Sequence, residues 1–275
     1  MNVIGIGAAG CRIAEALSTY PQYKIFKIDV DISGKSCYTV PVLENAEEYD
    51  SYSYPKIKTF FKGIKGETLV VVGGAGKIAL GCLRILQHIK KLPISIMYIK
   101  PDSTMLSQTQ QLQERTVFGV LQEYTRSAVF EKIYLISNPI LDQVVGGAPV
   151  IGYYDKLNEA LVGTLHMINV FKNTEAALGK IEKAKETHRI VTFGVFAIEK
   201  NTEKLFFPLD KVRDKCYIYS INEEKMKTDT GLLQRIKNQI NTKLDEDLSV
   251  GYALYSNQYE YDVGYVIART PHVQL

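Results

Sequence analysis

A chain of 275 residues, 46% hydrophobic and 23% charged, is long enough for one large domain or two modest ones with cores of their own. Its formal net charge of +3, without a block of lysine or arginine, excludes recognition of nucleic acid through a basic face; the short runs near Lys183 and Lys225 read as solvated helix faces. Four cysteines, Cys11, Cys37, Cys82 and Cys216, lie far apart without a Cys-x-x-Cys pair, so no metal site is expected and reduced thiols of a cytoplasmic protein are.

The opening Met1–Gly5 reads as a strand rather than a leader, and no stretch reaches about 18 uninterrupted apolar residues, so no direct membrane contact is expected. The predicted elements then follow in order. Val3–Ile6 is a strand ending in glycines, Gly10–Tyr20 a helix, and Tyr23–Val30 a strand. Residues 43–66 are acidic and tyrosine-rich, with a helix at Pro55–Lys62. Thr68–Val72 is a β-branched strand, Gly76–Lys90 a helix, Ile94–Ile99 a strand closed by Lys100-Pro101, Ser103–Ser127 an amphipathic helix, and Lys132–Ile136 a strand. These strands are apolar throughout, as a parallel sheet covered on both faces requires, and ligands of such sheets sit at the carboxyl ends of the strands.

Gly146-Gly147-Ala148-Pro149 is a break. Tyr153–Asn169 reads as a buried helix carrying Leu157, Leu161, Leu165 and Ile168, and Glu175–Glu186 as a charged helix. Strands follow at Ile190–Ile198 and Cys216–Ile221, a helix at Gly231–Lys243, and strands at Ser249–Tyr255 and Tyr261–Ala268. The last two are expected to form an antiparallel hairpin about the turn Asn257–Glu260. The expected class is α/β: a Rossmann-like parallel sheet with two glycine turns, a long central helix and a smaller C-terminal α+β domain. The expected divisions are 1–150 (nucleotide-binding), 151–188 (central and following helix) and 189–275.

Gly5-Ile6-Gly7-Ala8-Ala9-Gly10 is a literal Gly-x-Gly-x-x-Gly between a strand and a helix. Its glycines allow close approach of backbone to phosphate, and the helix start supplies free N–H groups. With Asp29 ending the next strand, this motif alone describes an NAD(P)-binding Rossmann enzyme. A second turn, Gly73-Gly74-Ala75-Gly76-Lys77, also joins strand to helix and has no role in such an enzyme. It is not a Walker loop, which would require Gly at Val71 and Ser or Thr at Ile78. Two glycine turns from parallel strands close on one polyphosphate from two sides, with Lys77 able to add a charge.

This order of features resembles the FtsZ/tubulin superfamily over nearly the whole chain. The first turn, Gly5 through Arg12, matches its opening loop. Gly73 through Ile78 occupies the place of its Gly-Gly-x-Gly-Thr-Gly turn, Lys100-Pro101 matches a pair frequent in FtsZ, and Ser137-Asn138-Pro139 stands where FtsZ has Pro-Asn-Asp. On the central helix Tyr154 and Asn158, i and i+4 on one face, match the family's base-stacking aromatic and its base-edge amide. The resemblance implies GTP or GDP bound by Gly7, Ala8, Gly10, Cys11, Gly73, Gly74, Ala75, Gly76, Lys77, Asn138, Tyr154 and Asn158, with magnesium accompanying the nucleotide. It also implies a cytoskeletal role through polymerisation into head-to-tail filaments of self.

The sequence departs from the family at the phosphate turn, where Ala75 and Ile78 replace a hydroxyl-bearing and a glycine pattern. Met105 and Thr109 stand near the positions of its ribose-side Glu and Arg. In the loop after the central helix, Asn169 is kept but Phe171 and Thr174 occupy both aspartate positions, leaving Glu175 as the nearby carboxylate. Carboxylates there give general-base help worth about 10²–10⁴ in rate. Three readings stay open: a filament-forming protein with weak GTP hydrolysis, a non-hydrolysing structural or interaction protein on the same fold, and, behind these, an NAD(P)-binding Rossmann enzyme using Gly5, Gly7, Gly10 and Asp29. The end at Leu275, without a partner-binding tail, fits a plasmid- or virus-encoded relative.

Overall fold

The computed structural model describes residues 1–275 and forms two compact units, Met1–Val162 with Val273–Leu275, and Gly163–His272. In the first unit, β1 (Asn2–Ile6), α1 (Gly7–Leu17), β2 (Lys24–Asp29), β3 (Cys37–Thr39), α2 (Ala46–Ser51) and α3 (Ile57–Phe60) are followed by β4 (Thr68–Gly73). A 3-10 turn (Lys77–Gly81) leads into α4 (Cys82–Leu86). Then come β5 (Ile94–Lys100), α5 (Gln108–Arg126), β6 (Lys132–Ser137), α6 (Asn138–Val145) and the start of α7 (Tyr153–Lys172). The strands lie in the order β3-β2-β1-β4-β5-β6, all parallel. Val3, Ile4, Val70, Val71, Ile96 and Leu135 are fully buried, which is the reason their runs carry no polar alternation.

The second unit contains β7 (Leu178–Gly179), β8 (Ile190–Ala197), β9 (Thr202–Leu205), β10 (Asp214–Asn222), α8 (Glu223–Thr228), α9 (Leu232–Asn241), β11 (Ser249–Asn257) and β12 (Val263–Thr270). Here the order is β9-β8-β12-β10-β11-β7. Leu232, Ile236 and Ile240 of α9 share a core with Phe196, Tyr217, Tyr219 and Leu254, burying the one apolar stripe of a strongly amphipathic helix.

Three expectations are corrected. The last two strands are not a hairpin: β10 lies between them, parallel to β11 and antiparallel to β12. β10 carries the fully buried Ile218 and Tyr219 and so takes the centre. The Asn257–Asp262 connection passes its end, tied by Asn257 Nδ2 to Ser220 Oγ at 2.9 Å and by Asn222 Nδ2 to the Tyr259 carbonyl at 2.6 Å. The Glu175–Glu186 segment is not a helix. It lacks an apolar stripe, Gly179 takes the left-handed conformation (φ 71°), and its polar backbone is satisfied elsewhere, with the Ala177 N–H donating to the Leu254 carbonyl at 2.8 Å. Finally, Gly76–Lys90 is split into a 3-10 turn and the short α4. At Gly81 the backbone meets the Tyr54 hydroxyl so closely that a Cβ would lie 2.0 Å from it.

Candidate functional site

Strand register decides which turns share an edge. Ile6 is level with Val72, Gly73 with Ile99, and Lys100 with Ser137. The turns that follow β1, β4, β5 and β6 therefore open on the carboxyl edge of one sheet, where doubly wound folds hold their ligands. Gly7, Gly74, Pro101 and Asn138 begin those turns.

At the first turn, α1 starts directly after β1. Gly7 has φ 71°, and its N-cap, Ile6, offers no side chain to the first-turn amides. Those N–H groups have no partner within the helix, and no acidic residue occupies the turn, so they are available to an anion beside the exposed Ala8 and Ala9. Gly10 lets the helix rest on β4: a Cβ there would lie 2.2 Å from the Val71 carbonyl oxygen. The Cys11 thiol points inward, donating to the carbonyls of Gly5 (3.4 Å) and Ile28 (3.7 Å). Burial, and next the charge of Asp29, push its pKa up to about 12. The Cys11 side chain is therefore not offered to a ligand.

The second turn is held from below. The Gly74 N–H donates to the Ile99 carbonyl at 3.0 Å, and Gln113 Nε2 donates to the Gly76 carbonyl at 2.8 Å. The Tyr98 hydroxyl donates to Glu114 Oε1 at 2.8 Å and sits where a Cβ on Gly74 would lie, 2.0 Å away. Glu114 in turn pairs with Lys100 at 3.6 Å, whose ammonium lies 3.7 Å from the Phe118 ring centroid. Lys100 is thus a structural cation of this edge. Ala75 is half-buried and offers only its backbone. The Lys77 ammonium is exposed and donates to the Glu44 carbonyl at 2.6 Å, which ties the turn to the segment before α2.

The two turns touch. A Cβ on Gly73 would lie 2.9 Å from Ala9 Cβ, and one on Gly7 would lie 2.8 Å from Ile78 Cγ2. Ile78, read from sequence as a side chain beside the phosphates, is buried against Gly7. It joins the turns as a wedge. The cradle fits a polyphosphate: adjacent backbone amides, glycines at the close approaches, and no carboxylate in the first turn of α1.

Asn138 opens α6 and is half-buried. At the start of α7 the Tyr153 phenol is held neutral by burial, next by the Asp142 carboxylate of α6, and also by Asp102 of the β5–α5 connection. These neighbours bring the α7 start to the same edge as the turns after β5 and β6. Tyr154 is 53% exposed, edge-on to Tyr153 with centroids 5.2 Å apart, and Asn158 is half-buried one turn later. No group of three or more His, Cys, Asp or Glu stands where it could hold a metal ion by itself.

In the second unit Phe171 is 6% exposed and packs at a tilt against Tyr255 (centroids 4.5 Å) and Tyr265 (5.9 Å), while the Tyr255 hydroxyl donates to the Phe171 carbonyl at 2.8 Å. Thr174 Oγ1 donates to the Val170 carbonyl at 2.9 Å, and Glu175 is exposed. The residues missed at the sequence level are Tyr98, Gln113 and Glu114. Their signal was present: Gln113 and Glu114 lie four residues before Val117 and Phe118, so they fall on the buried stripe of α5 despite being polar.

No protein-family model and no curated protein matches the chain. Solved structures do. TubZ-Bt in a four-stranded filament matches with TM-score 0.76 and 14% identity, over 98% of this chain and 85% of that one. GDP-form protofilaments of TubZ from Bacillus thuringiensis serovar israelensis match with TM-score 0.72 and 14% identity, over 98% and 85%. An empty FtsZ dimer from M. jannaschii matches with TM-score 0.68 and 13% identity, over 98% and 87%. The chain has the tubulin/FtsZ fold along nearly its whole length. No helix is long and apolar enough to cross a membrane.

Proposed function

We propose that this chain binds a guanine nucleotide on the carboxyl edge of its first unit and self-associates head to tail, with GTP hydrolysis slow or lost. The contact between the two glycine turns carries the reading: Gly73 meets Ala9, and Ile78 meets Gly7, leaving one amide-lined cradle. TubZ structures described as GDP-form and GTPγS-form protofilaments support both nucleotide and self-association.

In this reading the first-turn amides of Gly7 and Ala8 and the amides of Ala75 and Lys77 donate to phosphate oxygens, while Gly10, Cys11, Gly73, Gly74 and Gly76, whose N–H groups serve the helix, the sheet or the turn, shape the cradle. Tyr154 stacks on the base, and Asn158 and Asn138 take its polar edge. The bound phosphates supply the ligands for magnesium, since no protein carboxylate cluster does. The buried Phe171 and the capped Thr174 cannot orient water, and only the exposed Glu175 offers a base. A head-to-tail contact uses two different faces and therefore propagates into a filament.

The test is sedimentation with GTP, GDP, ATP or NADH, beside a thermal-shift screen with the same ligands. GTP-dependent polymer and a guanine-specific rise in stability, both lost in Asn158→Ala, are expected. Polymer indifferent to nucleotide, or a rise with NADH alone, overturns the reading. Phosphate release near the buffer rate is expected for the parent chain and for Glu175→Ala alike.

A further inference from the structure

A groove of about 320 Å³ opens where α4 and the end of α5 meet the turn after α5. Its floor is the buried Leu86 and Phe130, and its wall includes Tyr124 and Val129, 44% and 49% exposed. The wall is rigid: Tyr124 stacks on Phe130 with centroids 6.2 Å apart, and the Val129 N–H donates to the Tyr124 carbonyl at 2.9 Å. The rim carries Arg84 and Lys90 with one carboxylate, Asp50, so its cations are in excess.

A complementary feature stands on the second unit. The loop Asn257–Asp262 presents Tyr259 and Tyr261, 50% and 64% exposed, stacked face to face with centroids 5.6 Å apart at 13°. Such a pair would collapse in a mobile loop. Here the backbone is fixed at both ends: Asn257 Oδ1 accepts from the Tyr259 N–H at 2.8 Å, Asn222 Nδ2 donates to the Tyr259 carbonyl at 2.6 Å, and Asp262 accepts from the Asn222 N–H at 3.0 Å and pairs with Lys225. Glu260, between the two tyrosines in sequence, is exposed. Glu223 and Glu224 begin α8 beside Asn222, and Asp262 adds a fourth carboxylate against Lys225 and Lys227.

We propose that the Tyr259–Tyr261 loop of one copy seats in the Arg84/Lys90-rimmed groove of a second copy. Each side is exposed in the single chain, each is apolar at its centre, and their rims carry opposite charge, the arrangement that fixes partner and register. Rigid tyrosines lose little conformational freedom on docking, which suits them as anchors. The contact joins two different surfaces and so extends from copy to copy. It rests on the self-association proposed above and uses none of the residues proposed to touch nucleotide.

The test mixes full-length Gln258→Cys, in the loop beside the tyrosines, with full-length Gln87→Cys, on the groove lining, both in a Cys37→Ser background with GTP present, and adds a short bismaleimide. A crosslinked pair in the mixture, scarce with either variant alone, is expected. Lys90→Glu in the groove partner should lower its yield by about tenfold, since a like-charge rim costs that much or more. Glu260→Lys in the loop partner should restore it. No mixed product at concentrations where the parent sediments, or a yield insensitive to Lys90→Glu, overturns the proposal. So does pelleting with phosphatidylserine vesicles that Lys90→Glu abolishes, since the groove would then serve a membrane. The GTP thermal shift of every variant should equal the parent's, so this contact and the nucleotide site stand or fall separately.

Discussion

Gly10 has no room for a methyl group. Its Cβ position lies 2.2 Å from the Val71 carbonyl oxygen, and both are backbone, so neither can rotate away. Gly10→Ala must push α1 off β4, at a cost of about 1–3 kcal/mol of the kind overpacking exacts. Urea unfolding should show that loss, and the guanine-nucleotide shift should vanish with it because the two turns would part. Phe171 shows the same logic in reverse. Phe171→Asp would restore the family-like residue but place a carboxylate between Tyr255 and Tyr265 in a site 6% exposed. The lost ring alone costs about 3–5 kcal/mol, and the unpaired charge adds to it. Phosphate release should stay at the parent level while the unfolding midpoint falls sharply; a gain in GTP turnover would show that Phe171 leaves its packed position.

At the scale of elements, the segment 180–189 is the informative one. It has no regular structure and lies over β10 and β12, held where Arg269 Nη2 donates to the Glu182 carbonyl at 3.2 Å and Arg269 pairs with the buried Asp214. His188 at its end is buried with Nδ1 unpartnered. Burial lowers its pKa; Asp214 opposes the shift, while Lys185, Arg269 and Arg213 add to it. A histidine whose folded pKa is depressed contributes stability above its unfolded pKa of about 6.5, and loses it as pH falls toward the folded value. Burial also lowers His88 and His166, in the same direction. The thermal midpoint should therefore drop between pH 7.5 and 5.5, and His188→Gln should make that slope shallower; an unchanged slope would locate the effect elsewhere.

This same segment marks the limit of what could be read from residues. The strands β1, β4, β5 and β6 were legible because a parallel strand buried on both faces must be apolar at every position, and the glycine turns because at Gly10 and Gly74 neighbouring groups come too close for a Cβ. The charged segment after α7 had helix-forming residues but no stripe to bury, and propensity without packing does not hold a helix in water. The place of β10 between β11 and β12 is set by which strand buries most tyrosine, a property of the assembled sheet. Gln113 and Glu114 were visible as polar residues on an apolar stripe, but their partners, the Gly76 carbonyl and Tyr98, lie far off in sequence.

For the whole molecule, the division into units separates two capacities. Every residue proposed to touch nucleotide, from Gly7 to Asn158, falls within Met1–Val162, while Phe171, Thr174 and Glu175 fall within Gly163–His272. On the proposed function, binding can persist without turnover, because the two sets of side chains answer to different packing constraints. Ligand binding to the folded state adds about 2.7 kcal/mol at a hundredfold excess over Kd. That gain should appear first where the ligand holds backbone amides. Hydrogen exchange with saturating GDP should slow the amides of residues 7–11 and 73–78 and of the α7 start around Tyr154. Exchange in β8, β10 and β12 of the dilute, unassembled chain should stay unchanged. Protection spread evenly over both units, or absent from the two glycine turns, would mean that the nucleotide is held somewhere other than the edge where those turns meet.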